Sequence, residues 1–408
     1  MSTVTPTSAT VPPPPGVRAV LRAPRVPTLL AASQVGRLPL AAGPLALLLF
    51  ARESVSLVLA GLVVAVYTAG MAVSAPLLAR AVDRWRQPPV LYGSSALSAI
   101  GFLTVAAGGG DLAVTVVGAA LAGLGTPPLE ACLRALWPAL VPPPAVAAAY
   151  TLDIALQEVI FVVGPLVTLA AVAIAGPPAG LVAAAACQVA GATVFALSRP
   201  VRVWRGTPAP RHWAGPLRVP RFVVLILGVS CLGAAVGSIP VAVTGYAEAA
   251  GDRGLSGWLL AAQAVGALTG GLLYTRARPG GPARLPLLAV AFLVGYLPLL
   301  IMPGVGAMVA LIAVSGVALP PVLTVVFLTT DRLAPPGTVV EAFAWIVTAF
   351  TVGSASGAAL TGQLAATDLR AGFALAPIAS VLGIVAMSIV YRGEAKVSAR
   401  SGQADALQ

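Results

Sequence analysis

The sequence predicts an all-α integral membrane protein of twelve transmembrane helices, arranged as two six-helix bundles related by a pseudo-twofold axis. Three observations predict it. Only 9% of the 408 residues are charged and 58% are hydrophobic, whereas soluble domains carry about 25% charged residues. The apolar residues come in runs of about 20 or more, long enough to cross ~30 Å of hydrocarbon at 1.5 Å per residue. The residues that determine backbone shape recur. An offset of 193 residues superposes Gly123 on Gly316, Pro127-Pro128 on Pro320-Pro321, and Pro142-Pro143 on Pro335-Pro336. Recurrence of Gly and Pro at one offset implies two copies of one backbone.

The hydrocarbon layer has no water to satisfy backbone groups, so the runs are helices. Strand-period alternation is absent, which argues against a β-barrel. In the first half the runs fall near 28–50, 54–79, 88–108, 112–133, 145–171 and 178–198. Those of the second fall near 221–246, 254–275, 285–303, 305–329, 338–362 and 371–391. An even number puts both termini on one side. Arg80, Arg84 and Arg86 follow the second run, Arg199 to Arg221 join the halves, and Arg276, Arg278 and Arg284 follow the eighth. The opposite loops hold only Arg52, Arg253 and Arg370. The positive-inside rule then makes both termini cytoplasmic, in a bacterial-type inner membrane. The expected organisation is a disordered Pro-rich tail (1–27), one half (28–198), a basic linker (199–220), the second half (221–392) and a C-terminal tail (393–408).

The +11 net charge sits in short loops and forms no groove-sized patch, so nucleic acid is not an expected partner. Cys132, Cys187 and Cys231 are isolated in apolar runs, which argues against a disulfide framework or a zinc site. Lys396 is the only lysine and His212 the only histidine. A P-loop for ATP and a HExxH metal site are therefore both ruled out, and no cofactor is expected. No Gly-x-Ser-x-Gly nucleophile turn is present, so the chain does not read as an enzyme. Uphill transport then needs an ion gradient or a partner chain, and one charge crossing the membrane gains ~2.3 kcal/mol per 100 mV.

Two parallel six-helix halves suit alternating access. From about Thr28 to Arg392 the chain resembles the major facilitator superfamily. Ala79 to Arg86 looks like that family's Gly-x-x-x-Asp-Arg-x-Gly-Arg loop signature, with Asp83 and Arg84 matching and both glycines replaced. Gly164-Pro165 resembles the Gly-Pro of its antiporter motif, without the flanking glycines. The arginine that proton-coupled members carry within helix 4 has no counterpart in the predicted fourth span. The resemblance implies that Asp83 and Arg84 contact the start of helix 11 and a charged end of helix 4. A carboxylate at a helix N-terminus is favoured by the dipole. Asp83 near Gly337-Thr338 would thus latch the cytoplasmic side, with Glu130 and Arg134 pairing at i, i+4 on the end of helix 4.

An ionisable side chain at the centre of a span costs about 2.5–3.5 kcal/mol or more unless paired or hydrated. Arg37 lies about nine residues into helix 1, and Ser33 and Gln34 share its face. It reads either as a cavity-lining cation or as half of an ion pair with helix 5. Tyr150, Asp153 and Gln157 form one polar stripe on helix 5, and Glu158 is turned about 140° from Asp153. With Arg37 as the one deep cation, one of Asp153 and Glu158 is left without a partner and is the natural proton carrier. The alternative for Glu158 is a neutral acid bonded to a neighbouring helix. Thr338 to Glu341 reads as a capping box, which leaves Glu341 either a cap or part of the gate. Asp111 reads as the N-cap of helix 4.

The cavity between the halves should be lined by Gln34, Arg37, Thr126, Asp153, Gln157, Ser238 and Gln263, with Glu158 on the proton pathway. The expectation is a monomeric secondary transporter in the lipid bilayer, moving a small organic molecule, with proton-coupled efflux favoured by the resemblance. An importer of a sugar or organic anion, or a non-transporting sensor or assembly protein, are the alternatives.

Overall fold

The computed structural model describes residues 16–207, 212–252, 254–276 and 284–405. Among the described residues there are helices and turns but no strands. Eleven helices are long and apolar enough to cross a membrane. They are α1 (Val26–Ala51), α2 (Leu57–Arg84), α3 (Gln87–Ala107), α4 (Leu112–Leu140), α5 (Pro143–Ala175), α6 (Pro177–Leu197), α7 (Pro220–Ala249), α8 (Leu255–Thr275), α10 (Val305–Leu333), α11 (Val339–Ala365) and α12 (Leu369–Arg392). The twelfth expected span is the shorter α9, Leu285–Ile301, which tightens into a 3-10 turn over Leu297–Ile301.

Three helices break where proline removes a ladder bond. α1 turns at Leu38, before Pro39. α4 unwinds over Thr126–Pro128. α10 breaks at Ala318, before Pro320-Pro321. The breaks in α4 and α10 fall at the two copies of the proline doublet.

Packing repeats as the sequence does. A Cβ on Gly164 of α5 would press on Ala41 of α1, and a Cβ on Gly357 of α11 would run into Ala234 of α7. Both members of the second pair lie 193 residues beyond those of the first. Gly266 and Gly270 abut the carbonyls of Ala313 and Val317, so α8 and α10 touch backbone to backbone.

The halves meet through α2 with α11, α5 with α8, α4 with α11, and α5 with α10. The first two pairs are equivalent under exchange of the halves, as are the last two. The hydrogen bonds and ring contacts that join the halves lie toward the end of the molecule that carries the linker, here called the linker face.

Several boundaries differ from expectation. The N-terminal tail orders before residue 27: Val17–Arg22 is a short helix whose Val20 is buried. Residues 1–15 lie outside the described residues. α2 continues five residues past 79, so Asp83 and Arg84 stand on its last turn instead of in a loop. The helix of α12 continues into the expected C-terminal tail, to Asp405. Arg211, Arg253 and Arg278 fall outside the described residues.

Candidate transport site

The centre of the first half holds four charges. Arg37 Nη1 donates to Asp153 Oδ1 at 2.8 Å, and its Nη2 donates to Gln157 Oε1 at 2.8 Å. Glu130 Oε2 lies 3.3 Å from the same Nη2. Arg134 donates from Nε to Asp153 Oδ2 at 2.9 Å and pairs with Glu130 Oε1. Arg37, Arg134 and Asp153 are 2%, 1% and 0% exposed. Two cations and two carboxylates therefore cancel in a cluster buried within the bundle, where an unpaired charge would cost several kcal/mol.

This corrects the expectation of one deep cation. Arg134 was expected at the end of helix 4, pairing only with Glu130. It does pair with Glu130, but its guanidinium also reaches Asp153 and lies 3.9 Å from the centroid of the Phe327 ring of α10. The reason is the hairpin geometry of α4 and α5. Arg134 and Asp153 stand about equally far on either side of the Pro142-Pro143 turn, so antiparallel helices bring them to one depth. Arg134 lies inside α4, one residue past the predicted end of the fourth span at 133.

A pocket of about 110 Å³ lies beside the cluster. Arg37, Thr126 and Glu130 line it from the first half, with Thr68 of α2 and Gln188 of α6, and Val347, Thr348 and Thr351 of α11 line it from the second. Toward the linker face the wall is aromatic. Tyr150 packs on Phe327 and Phe343, with centroids 5.7 and 5.9 Å away. Thr151 and Thr324 share a hydrogen bond of 2.9 Å across the halves.

Beyond that wall stands a second polar layer. Asp83 accepts the backbone N–H groups of Val340 and Glu341 at 3.2 and 2.8 Å, so the end of α2 caps the start of α11. Glu341 takes a bidentate pair from Arg80, at 3.0 Å from Nε and 2.5 Å from Nη2. The expected capping box does not form. The Thr338 hydroxyl donates to the Pro335 carbonyl at 2.8 Å, Asp83 takes over the cap, and Glu341 turns to Arg80. Arg84 is exposed beside the Trp85 ring and holds no acid among the described residues. Linker residue Gly215 sits against the Glu341 carboxylate, where a Cβ would come within 2.6 Å of Oε1.

Other candidates stand apart from the pocket. The Ser238 hydroxyl is buried and donates to Ala235 O of its own helix. Gln263 is half-buried, with its carbonyl against Gly316 of α10. Both polar atoms of the Gln34 side chain are buried without a hydrogen-bond partner. Glu158 is half-buried and makes no ion pair or hydrogen bond among the described residues. It lies seven residues beyond Thr151 and so shares its face, the side of α5 that meets the second half. Asp111 accepts from Val114 N at 2.9 Å, as an N-cap should. Gln188, Thr348, Phe327 and Arg80 were missed.

The model of the Major Facilitator Superfamily matches residues 40–337. The chain belongs to the major facilitator superfamily. That membership makes it a transporter and not an enzyme. Solved structures share the fold at low identity. A bacterial homologue of the iron transporter ferroportin, in an outward-facing state, is 17% identical with a TM-score of 0.69; the match covers 89% of this chain and 98% of that one. The E. coli fucose:proton symporter is 14% identical with a TM-score of 0.69, over 90% and 99%. The human organic anion transporter MFSD10 is 14% identical with a TM-score of 0.67, over 91% and 100%. No curated protein matches the sequence at a significant level.

Proposed function

We propose that this superfamily member is a secondary transporter that carries a small organic solute through the central pocket by alternating access, driven by protons. The observation that carries the reading is a pocket lined from both halves and closed toward the linker face by contacts that can be remade: an Asp83 cap, an Arg80–Glu341 pair and an aromatic wall. Such an interdomain contact is a two-state element.

Glu158 is the proposed proton carrier. Asp153 is matched by two arginines, whereas Glu158 has no partner among the described residues and lies on the face of α5 turned to the second half. An acid in that position can gain and lose a proton without dismantling an ion pair. Export is the favoured direction, on the strength of Gly164-Pro165, where Gly164 lets α5 press on α1. The distribution of arginines supports a linker face turned to the cytoplasm of an inner membrane, with both termini there.

Import of an anion is less well supported. Arg37 would have to offer a free charge, yet two carboxylates already lie within 3.3 Å of it. The iron named for the ferroportin homologue finds no donor set: no group of three His, Cys, Asp or Glu that could hold a metal comes together among the described residues.

The test is a thermal-shift screen of a ligand panel on purified protein, then flux of each hit in proteoliposomes with and without a proton ionophore. A hit whose accumulation collapses with the ionophore supports the reading. Gradient-independent flux would overturn the proton coupling, and the absence of any flux would overturn transport.

A further inference from the structure

The central pocket has a feature that the transport reading does not need. Gln188 comes from α6, a helix on the outside of the first half, yet it is fully buried and lines the pocket. It reaches inward because α1 and α6 touch backbone to backbone. A Cβ on Gly191, three residues along the same face, would collide with Gly36.

The amide of Gln188 has one satisfied end and one orphan end. Its Oε1 stands 3.2 Å from the Ser98 hydroxyl of α3 and its Nε2 is buried without a partner, while the same hydroxyl lies 2.7 Å from the Ala122 carbonyl. A serine has one proton to give. The shorter contact to a carbonyl takes it, because a carbonyl can only accept. Ser98 then has only lone pairs to offer Gln188, and the chemistry assigns the amide the opposite way round, with its nitrogen donating to Ser98 and its oxygen free. Leaving a buried amide group unpaired costs about 1–3 kcal/mol.

Glu130 stands on the same pocket wall, the one acid among the lining residues. Its two oxygens serve Arg37 and Arg134, but a carboxylate has about four acceptor sites, so two remain. Thr348 adds a buried hydroxyl without a partner from the second half. The cluster itself sums to zero charge, so it offers no excess cation to an anion.

We infer that the central pocket recognises a small solute by its N–H donors, an amine or a primary amide, received by the Glu130 carboxylate and the Gln188 amide oxygen. The solute bridges the halves through Thr348. This inference rests on the pocket being the solute site, and it deepens that reading by naming the solute's class.

The test measures binding, not flux, so that it can fail separately from transport. Butylammonium, butyramide and butyrate match in size and differ in head group. Ligand-observed NMR titration of purified protein should give butylammonium and butyramide at least about tenfold tighter binding than butyrate, one charge-assisted hydrogen bond's worth. Gln188→Leu should weaken the two donors about two- to tenfold and leave butyrate unchanged. Thr348→Val, at a half-buried position, should weaken all three and serves if Gln188→Leu does not fold. Butyrate binding as tightly as butylammonium, or affinities untouched by both variants, would overturn the inference. Binding in the expected order without any flux would uphold it and count against transport.

Discussion

The Asp83 carboxylate, on the last turn of α2, accepts the backbone N–H of Glu341 at 2.8 Å across the boundary between the two halves. An anion there complements the partial positive charge of the α11 N-terminus, worth about 1 kcal/mol. Asp83→Asn keeps an acceptor but loses the charge. It should raise the linker-face-open population about fivefold. Thiol labelling of Ala344→Cys, in a background lacking Cys132, Cys187 and Cys231, reads this directly. Labelling no faster than in the Asp83 parent would remove the latch.

Arg80 and Glu341 are unequal partners, the arginine 42% exposed and the glutamate 3%. Removing Arg80 leaves a buried carboxylate unpaired, whereas removing both leaves nothing buried and charged. Arg80→Ala should therefore lower the melting temperature more than the double variant Arg80→Ala/Glu341→Gln. A double variant at least as unstable as the single would show that the pair does not act as a unit.

The Arg37, Glu130, Arg134 and Asp153 cluster should be a stability element first. Asp153→Asn uncouples two buried guanidinium groups and should cost about 3–5 kcal/mol. Adding Arg134→Gln should restore part of the loss. Chemical denaturation in detergent micelles would measure both, and purely additive losses would argue against one coupled network.

Glu158 should behave in the opposite way. Glu158→Gln removes an acid that holds no partner among the described residues, so melting should be unchanged or raised. Proton-driven accumulation in proteoliposomes should be lost while solute exchange at equal pH persists. Accumulation at the wild-type rate would move the proton elsewhere.

Much of the architecture was legible because proline and glycine dictate backbone shape. The repeated Pro-Pro doublets mark the breaks of α4 and α10, and Gly164 and Gly357 mark equivalent contacts on α1 and α7. The docking of Asp83 on α11 was legible through the resemblance of the α2 end to a known signature. The depth of Arg134 was not. Hydropathy falls at Glu130 and Arg134, which draws the predicted span to an end at 133, though the helix runs to Leu140. Reflecting the sequence about Pro142-Pro143 places Arg134 opposite Thr151, within one helical turn of Asp153. Thr338 and Glu341 fit a capping box by spacing alone. Spacing cannot reveal that a carboxylate from 257 residues away takes the cap of Val340. Gln188 left no signal of its own, since one amide in an apolar run looks the same whether it faces lipid, a neighbour or a pocket.

Alternating access requires the two halves to rock about the pocket. Paired spin labels measure it without knowledge of the solute: one pair at exposed Ser54 and Asp252 on the face opposite the linker, another at exposed Arg86 and Arg332 on the linker face. Pulsed distance measurements across a pH series should give two populations for each pair. One distance should shorten as the other lengthens, and Asp83→Asn should shift both toward the linker-face-open form. Single distances that move for neither pair, at any pH and in both proteins, would contradict alternating access.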